Sequence, residues 1–235
     1  MFDTIQVQFE STSSPDTALT YIDNLKGFPS IAWDFEVAVK YSEAELSAFT
    51  AALEDLSTSK HDYIKAKSCL KATALDHPSH TTLTHCSIAV NDSEAYVFIL
   101  DNPKITNYVL DYLVTTPQTQ ILHNASFDFK HLYYYTGKFP STYEDTQILA
   151  KTILNHTNPA QARVGLKDLA GQWYGDWAIS SDNFTLSQIH DPKVLKYAAI
   201  DACATYKLWT YINSECDTID KELLNELSTV SPPGH

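Results

Sequence analysis

The chain has 235 residues, 44% hydrophobic and 12% aromatic, a composition that excludes a disordered polypeptide and is enough for one domain with a sizeable core. No apolar run approaches the roughly 18 residues of a membrane span, and residues 1–27 show no basic stretch followed by an apolar one, so the expectation is a cytoplasmic protein with no membrane contact. The formal charge of −13 speaks against a broad polyanion-binding face, since phosphate binding leaves a basic footprint; the acids are gathered at a metal site, spread over faces that meet no polyanion, or signs of another function.

In chain order, residues 1–27 carry no strong period and read as an arm or a short edge element. Phe28 to Val39 reads as a buried strand, with Ile31, Trp33, Phe35 and Val37 on one side by the two-residue period. Ser42-Glu-Ala-Glu45 is a capping box before Leu46, Phe49, Leu53 and Leu56 at helical spacing, and His61 to Leu75 reads as a second helix. Leu83–Val90 and Glu94–Leu100 form a hairpin across Asn91-Asp92-Ser93. Thr119–His123 is a short strand; Asn124 then caps a helix that Gly137 stops. Asp145 caps a helix over Thr146–Asn155, and Gly165–Tyr174 forms another, closed by Gly175. Asp191-Pro192 opens a long helix to about Cys216, and an amphipathic segment, Ile219–Leu227, precedes the Pro-Pro-Gly tail. Cys69, Cys86, Cys203 and Cys216 lack zinc-ligand spacing and read as reduced thiols. Strands first, then strands with helices, predict an α/β domain with a mixed β-sheet flanked by helices, and a helical insertion over 42–75 after the first strand.

Three local patterns carry chemistry. Asp34 and Glu36 stand two apart on a strand and project from one face. Half-buried like charges are costly unless a cation neutralises them, and a hard divalent cation with oxygen ligands does so. Asp128 falls in the first turn of a helix, where the dipole favours an acid in any case. Tyr197 and Asp201 stand four apart on one helix face. Each pattern alone has a purely structural explanation.

Their order, Asp-x-Glu on a strand, Asn124-x-x-Phe-Asp128 at a strand-to-helix junction and Tyr197-x-x-x-Asp201 in a late helix, resembles the tyrosine subtype of the DEDD, or DnaQ-like, 3′→5′ exonucleases, which have a ribonuclease H-like fold. Tyr143-Glu-Asp-Thr-Gln-Ile-Leu-Ala150, Gly165-Leu-Lys-Asp-Leu-Ala170, Phe184-Thr-Leu-Ser-Gln-Ile189 and Tyr197-Ala-Ala-Ile-Asp-Ala202 are most similar to the proofreading domain of family A DNA polymerases. The chain departs from that pattern in its longer 42–75 insertion, and in Lys40 or Tyr41 where that domain has a leucine that wedges against the terminal base.

The resemblance implies an exonuclease domain over 28–216, followed by a C-terminal helix and tail. It implies two divalent cations, Mg²⁺ or Mn²⁺, roughly 4 Å apart, with Asp34, Glu36, Asp128 and Asp201 as ligands and Tyr197, assisted by Glu36, orienting water. Asn124, Phe127, Phe35 and Lys130 are its candidate substrate contacts, and Lys130, Lys167 and Lys196 are the lysines suited to phosphate. His123 and His131 flank Asp128, but hard cations prefer oxygen to imidazole. The implied substrate is a DNA 3′ end; the charge of −13 adds the expectation of single-stranded or frayed ends and of a separate DNA polymerase chain as partner. An exoribonuclease similar to ribonuclease D and a non-catalytic DEDD-like binding module are the alternatives; the complete set of acids argues against the latter.

Overall fold

Trp33, Phe35 and Ile31 alternate with Ala32, Asp34 and Glu36 along one strand, so a bulky face and a small or acidic face lie back to back. The computed structural model describes residues 4–41, 43–56, 59–70, 77–157, 163–177 and 186–215. Its elements run β1 (Gln8–Thr12), α1 (Pro15–Leu25), β2 (Ser30–Val39), α2 (Glu43–Leu56), α3 (Lys60–Leu70), β3 (Thr81–Ala89), β4 (Glu94–Ile99), α4 (Pro103–Thr115), β5 (Thr119–Leu122), α5 (Ala125–Thr136), β6 (Tyr143–Asp145), α6 (Thr146–Thr157), α7 (Leu166–Tyr174) and α8 (Pro192–Glu215). A short 3-10 turn, Leu186–Gln188, comes just before α8.

The strands form one mixed sheet of six in the order β1-β4-β3-β2-β5-β6. β3 pairs antiparallel with β2 and β4, whereas β1 on β4, β5 on β2 and β6 on β5 are parallel. On the bulky face, Trp33 and Phe35 pack with Ile22 and Leu25 of α1, Ile105 and Leu113 of α4, and Phe129 and Leu132 of α5. On the other, Ala32, Ala89 and Val97 meet Ala198, Ala199 and Ala202 of α8. Those alanines let the helix lie close against β2, β3 and β4. This is the α/β, ribonuclease H-like arrangement expected. No helix among the described residues is long and apolar enough to cross a membrane.

The structure adds to the sequence reading at several points. Residues 1–27 contain the edge strand β1 and also α1, which Ser14 caps by accepting from Thr17 N at 3.4 Å. β1 makes the acid-bearing strand the second, so the helical insertion follows the second strand, not the first. α4 and β6 are elements beyond those the sequence predicts. The Asn124 cap is corrected: Asn124 is left-handed, φ 63°, and its side chain makes no cap bond. Asp145 takes that role, accepting from Asn124 N at 3.1 Å and Ala125 N at 2.9 Å, and it also caps α6 through Gln147 N at 2.8 Å. The segment Ile219–Leu227 lies outside the described residues.

Candidate active site and metal centre

β5 pairs with β2 over Ser30–Ala32 and no further. Beyond that point β2 has an open edge, and there the backbone N–H of Phe35 donates to Asp128 Oδ1 at 2.9 Å. The first turn of α5 thus supplies an acceptor where the neighbouring strand has ended. On the opposite side of β2 the pairing with β3 slips between Glu36 and Val37, a bulge of the kind that re-aims side chains beside functional sites. α8 crosses the sheet below and presents Tyr197 and Asp201, one turn apart, to the Asp34–Glu36 face.

The result is a convergence of acids. Asp34, Glu36 and Asp201 each contribute an oxygen to a group whose members all lie within 4.8 Å of one another. Glu36 Oε1 is buried and has no hydrogen-bond partner, while both oxygens of Asp201 are engaged. Lys167 Nζ donates to Oδ2 at 2.7 Å and Trp177 Nε1 to Oδ1 at 2.5 Å. Lys167 Nζ also donates to the Tyr197 hydroxyl at 2.8 Å. Asp128 stands outside the trio, buried, with Oδ1 on Phe35 N.

Such a site holds protons tightly. Burial, then the nearby Asp201, push the Asp34 carboxyl up to about 7, with Lys167 opposing. Burial, then Asp34 and Asp201, raise Glu36 well above the usual carboxylate range, and burial followed by Asp34 does the same to Asp128. Burial also raises the Tyr197 phenol, with Asp201, Glu36 and Asp34 adding to it, so the hydroxyl keeps its proton at neutral pH.

A raised carboxylate makes the folded state the better proton binder, so stability falls as pH rises from the unfolded value toward the folded one. The buried His85, His123 and His131, whose pKa values burial lowers, act oppositely, but only as pH falls through about 6.5. Above about pH 6.5 the carboxylates therefore dominate, with Asp34 held at about 7. The expected outcome is a melting temperature, measured with chelator present, that drops by roughly a degree or two from pH 6.5 to pH 7.5 and recovers when Mg²⁺ is added. The buried thiols of Cys86 and Cys203, also raised, add a slope of the same sign that Mg²⁺ does not touch, so the metal-sensitive part is the readout. A drop that Mg²⁺ leaves unchanged contradicts the expectation.

Other sequence candidates are placed differently. The Phe35 ring is buried in the core, edge-on to Trp33 at 5.0 Å, and offers no surface to a ligand; only its N–H serves the site. Phe127 is half-buried with its ring 4.8 Å from His131, Lys130 Nζ lies 6.0 Å from the Phe127 ring, and Asn124 is exposed. His123 has both ring nitrogens engaged, on Thr146 Oγ1 at 2.8 Å and the Val164 carbonyl at 2.9 Å. His131 is likewise occupied, by Thr81 Oγ1 at 2.9 Å and the Phe127 carbonyl at 3.0 Å. Lys196 is exposed on α8. Lys40 reaches the Ser79 carbonyl at 3.1 Å, and the Tyr41 hydroxyl meets His80 Nδ1 at 2.9 Å. No local pattern in the sequence marks Trp177 as part of the site.

Comparison with known proteins follows the same lines. The family model for 3′-5′ exonuclease matches residues 72–217. Among solved structures, the chain is similar to Brucella melitensis NrnC bound to pGG, at 17% identity over 96% of this chain and 86% of that one, TM-score 0.53. It is similar to Trypanosoma brucei RNase D in its GMP complex, at 14% identity over 93% and 61%, TM-score 0.62. The Aedes aegypti Nibbler EXO domain matches at 13% identity over 97% and 100%, TM-score 0.59. None of the curated proteins matches. At these identities the structural likeness establishes the fold alone.

Proposed function

Because the chain belongs to the 3′-5′ exonuclease family by a match over residues 72–217, we propose that it hydrolyses single-stranded or frayed DNA 3′ ends, releasing nucleoside 5′-monophosphates. The observation that carries this reading is the convergence of Asp34, Glu36 and Asp201 around a buried Glu36 oxygen without a partner. Three hard oxygen donors, two of which, Asp34 and Glu36, have pKa values raised by burial and by the neighbouring acids, suit Mg²⁺ or Mn²⁺. Asp34, Glu36 and Asp201 would hold one cation, and Asp128, behind Asp34, would serve a second through water. Bound there, such cations polarise the scissile phosphate and favour ionisation of the attacking water.

The chain's own groups do the rest. Tyr197, a phenol fixed by Lys167, orients the attacking water, and Glu36 shares that role. Water adds to phosphorus, the bond from phosphorus to the preceding 3′ oxygen breaks, and that oxygen takes up a proton to become the new 3′ hydroxyl. Phe127 and Lys130, on the first turns of α5 beside Asp128, would meet the terminal nucleotide in this reading. Asn124, exposed just ahead of them, is a further contact in this reading.

DNA is favoured by the four stretches that resemble polymerase proofreading domains. An exoribonuclease is the second reading, because RNase D shares this fold and its structure holds GMP. The test uses 5′-labelled DNA and RNA of one sequence, with Mg²⁺ or Mn²⁺, resolved as ladders. Stepwise shortening of the DNA from its 3′ end supports the proposal, and shortening of RNA alone replaces it with the second reading. Given the charge of −13, unlabelled competitor DNA should stop the ladder at once, since the chain has little long-range attraction for a polyanion. Tight engagement would then come from a separate chain such as a DNA polymerase.

A further inference from the structure

Lys167 sits where local helix energetics disfavour it. It is the second residue of α7, after the Gly165 N-cap, so its ammonium faces the positive end of a helix dipole, a position that suits acids. What compensates is tertiary: the 2.7 Å ion pair with Asp201 and the 2.8 Å bond to the Tyr197 hydroxyl. Nζ also lies 4.5 Å from the Tyr197 ring centroid and 5.7 Å from that of Trp177. The Lys167 side chain is 37% exposed whereas that of Asp201 is 7% exposed. The ammonium can therefore leave for solvent, or settle on the Tyr197 ring, without moving the carboxylate.

We propose that Lys167 is a tethered counter-ion of the cation site: it neutralises Asp201 while no divalent cation is bound, yields that carboxylate when one binds, and so sets the affinity of the site. An ammonium and a divalent cation on one carboxylate edge repel strongly where solvent is sparse. With Trp177 on the other oxygen of Asp201, Lys167 is the charged donor that a divalent cation would have to displace from Oδ2. The contrast with Glu36, whose Oε1 has no donor, gives the site one acid already neutralised and one waiting.

The inference rests on the reading that Asp34, Glu36 and Asp201 bind a divalent cation, and the experiment separates the two. Mn²⁺ binding to the full chain is measured by the loss of the free-ion magnetic resonance signal for wild type, Lys167→Met and Lys167→Arg. Lys167→Met is expected to bind Mn²⁺ roughly tenfold more tightly, the scale of a charge-assisted hydrogen bond, and to melt lower than wild type in chelator. Lys167→Arg, which keeps the charge, should stay near wild type. In the unaltered protein, the Lys167 ammonium resonance, assigned by its loss in Lys167→Arg, should shift as Mg²⁺ is added, a readout that survives even if Lys167→Met fails to fold. A wild-type chain that takes up no Mn²⁺ sinks the cation site and this proposal with it. Wild-type binding with equal or weaker binding by Lys167→Met, or an ammonium signal unmoved through the Mg²⁺ titration, overturns the role of Lys167 alone.

Discussion

Asp34→Ala and Asp201→Ala are each expected to cut exonuclease activity by on the order of 10³-fold or more, the scale of losing a preorganised charge at the reacting centre, yet to move stability in opposite directions. The Asp34 carboxyl is held up at about 7 by burial and by Asp201, so its removal relieves repulsion at pH 8 and should raise the melting temperature of the metal-free protein. Asp201 is the acceptor for Lys167 and Trp177. Removing it leaves an ammonium and an indole N–H without their partner, and a lost partner of this kind costs about 1–3 kcal/mol. At roughly 2–4 °C per kcal/mol for a chain of this size, Asp201→Ala should melt several degrees lower. Ladder assays on labelled oligonucleotide, with melting curves in chelator, check both halves. Parental activity in Asp34→Ala would remove the metal-site assignment. A melting temperature for Asp34→Ala below that of Asp201→Ala would instead contradict the charge account.

Much of this site was legible because its chemistry rests on local periods. Asp34 and Glu36 share a face through the two-residue repeat of a strand, and Tyr197 and Asp201 share one through the four-residue repeat of a helix. Neither inference needs the tertiary fold. Lys167 and Trp177 reach Asp201 from 34 and 24 residues away, and no period in the chain announces such contacts. Asn124 misled for the same reason: its acceptor looked like a cap, but the oxygens that satisfy the start of α5 come from Asp145, 20 and 21 residues on. The case of α4 differs. Asn102-Pro103 is the same cap-then-proline signal as Asp191-Pro192, and Asn102 does accept from Lys104 N at 3.0 Å. α1, with Ser14-Pro15, repeats it. Those helices were readable from their caps. β6, three residues long, is too short for any period to register.

Tyr197→Phe should lower the rate about 100-fold, the usual scale for a group that positions or exchanges a proton in the transition state, and should leave the ring in place. The phenol is buried, accepts from Lys167 at 2.8 Å, and is held far above its ordinary pKa by burial and the surrounding acids. The hydroxyl of the metal-free site therefore keeps its proton at neutral pH, and the role assigned to it here is that of a neutral group that aims water. If it acts in that way, the pH–rate profile of Tyr197→Phe should keep the shape of the parent and only shift downward, because no titrating group has been removed. Loss of the hydroxyl's bonds with Lys167 and Asp201 costs about 1–2 kcal/mol, or roughly 2–8 °C in melting temperature, too little to account for the rate. The measurement is single-turnover hydrolysis across pH 6 to 9 for parent and variant. A rate within a few-fold of the parent would make Tyr197 a packing residue. A profile that loses its alkaline limb would make it a proton carrier, contrary to the role assigned here.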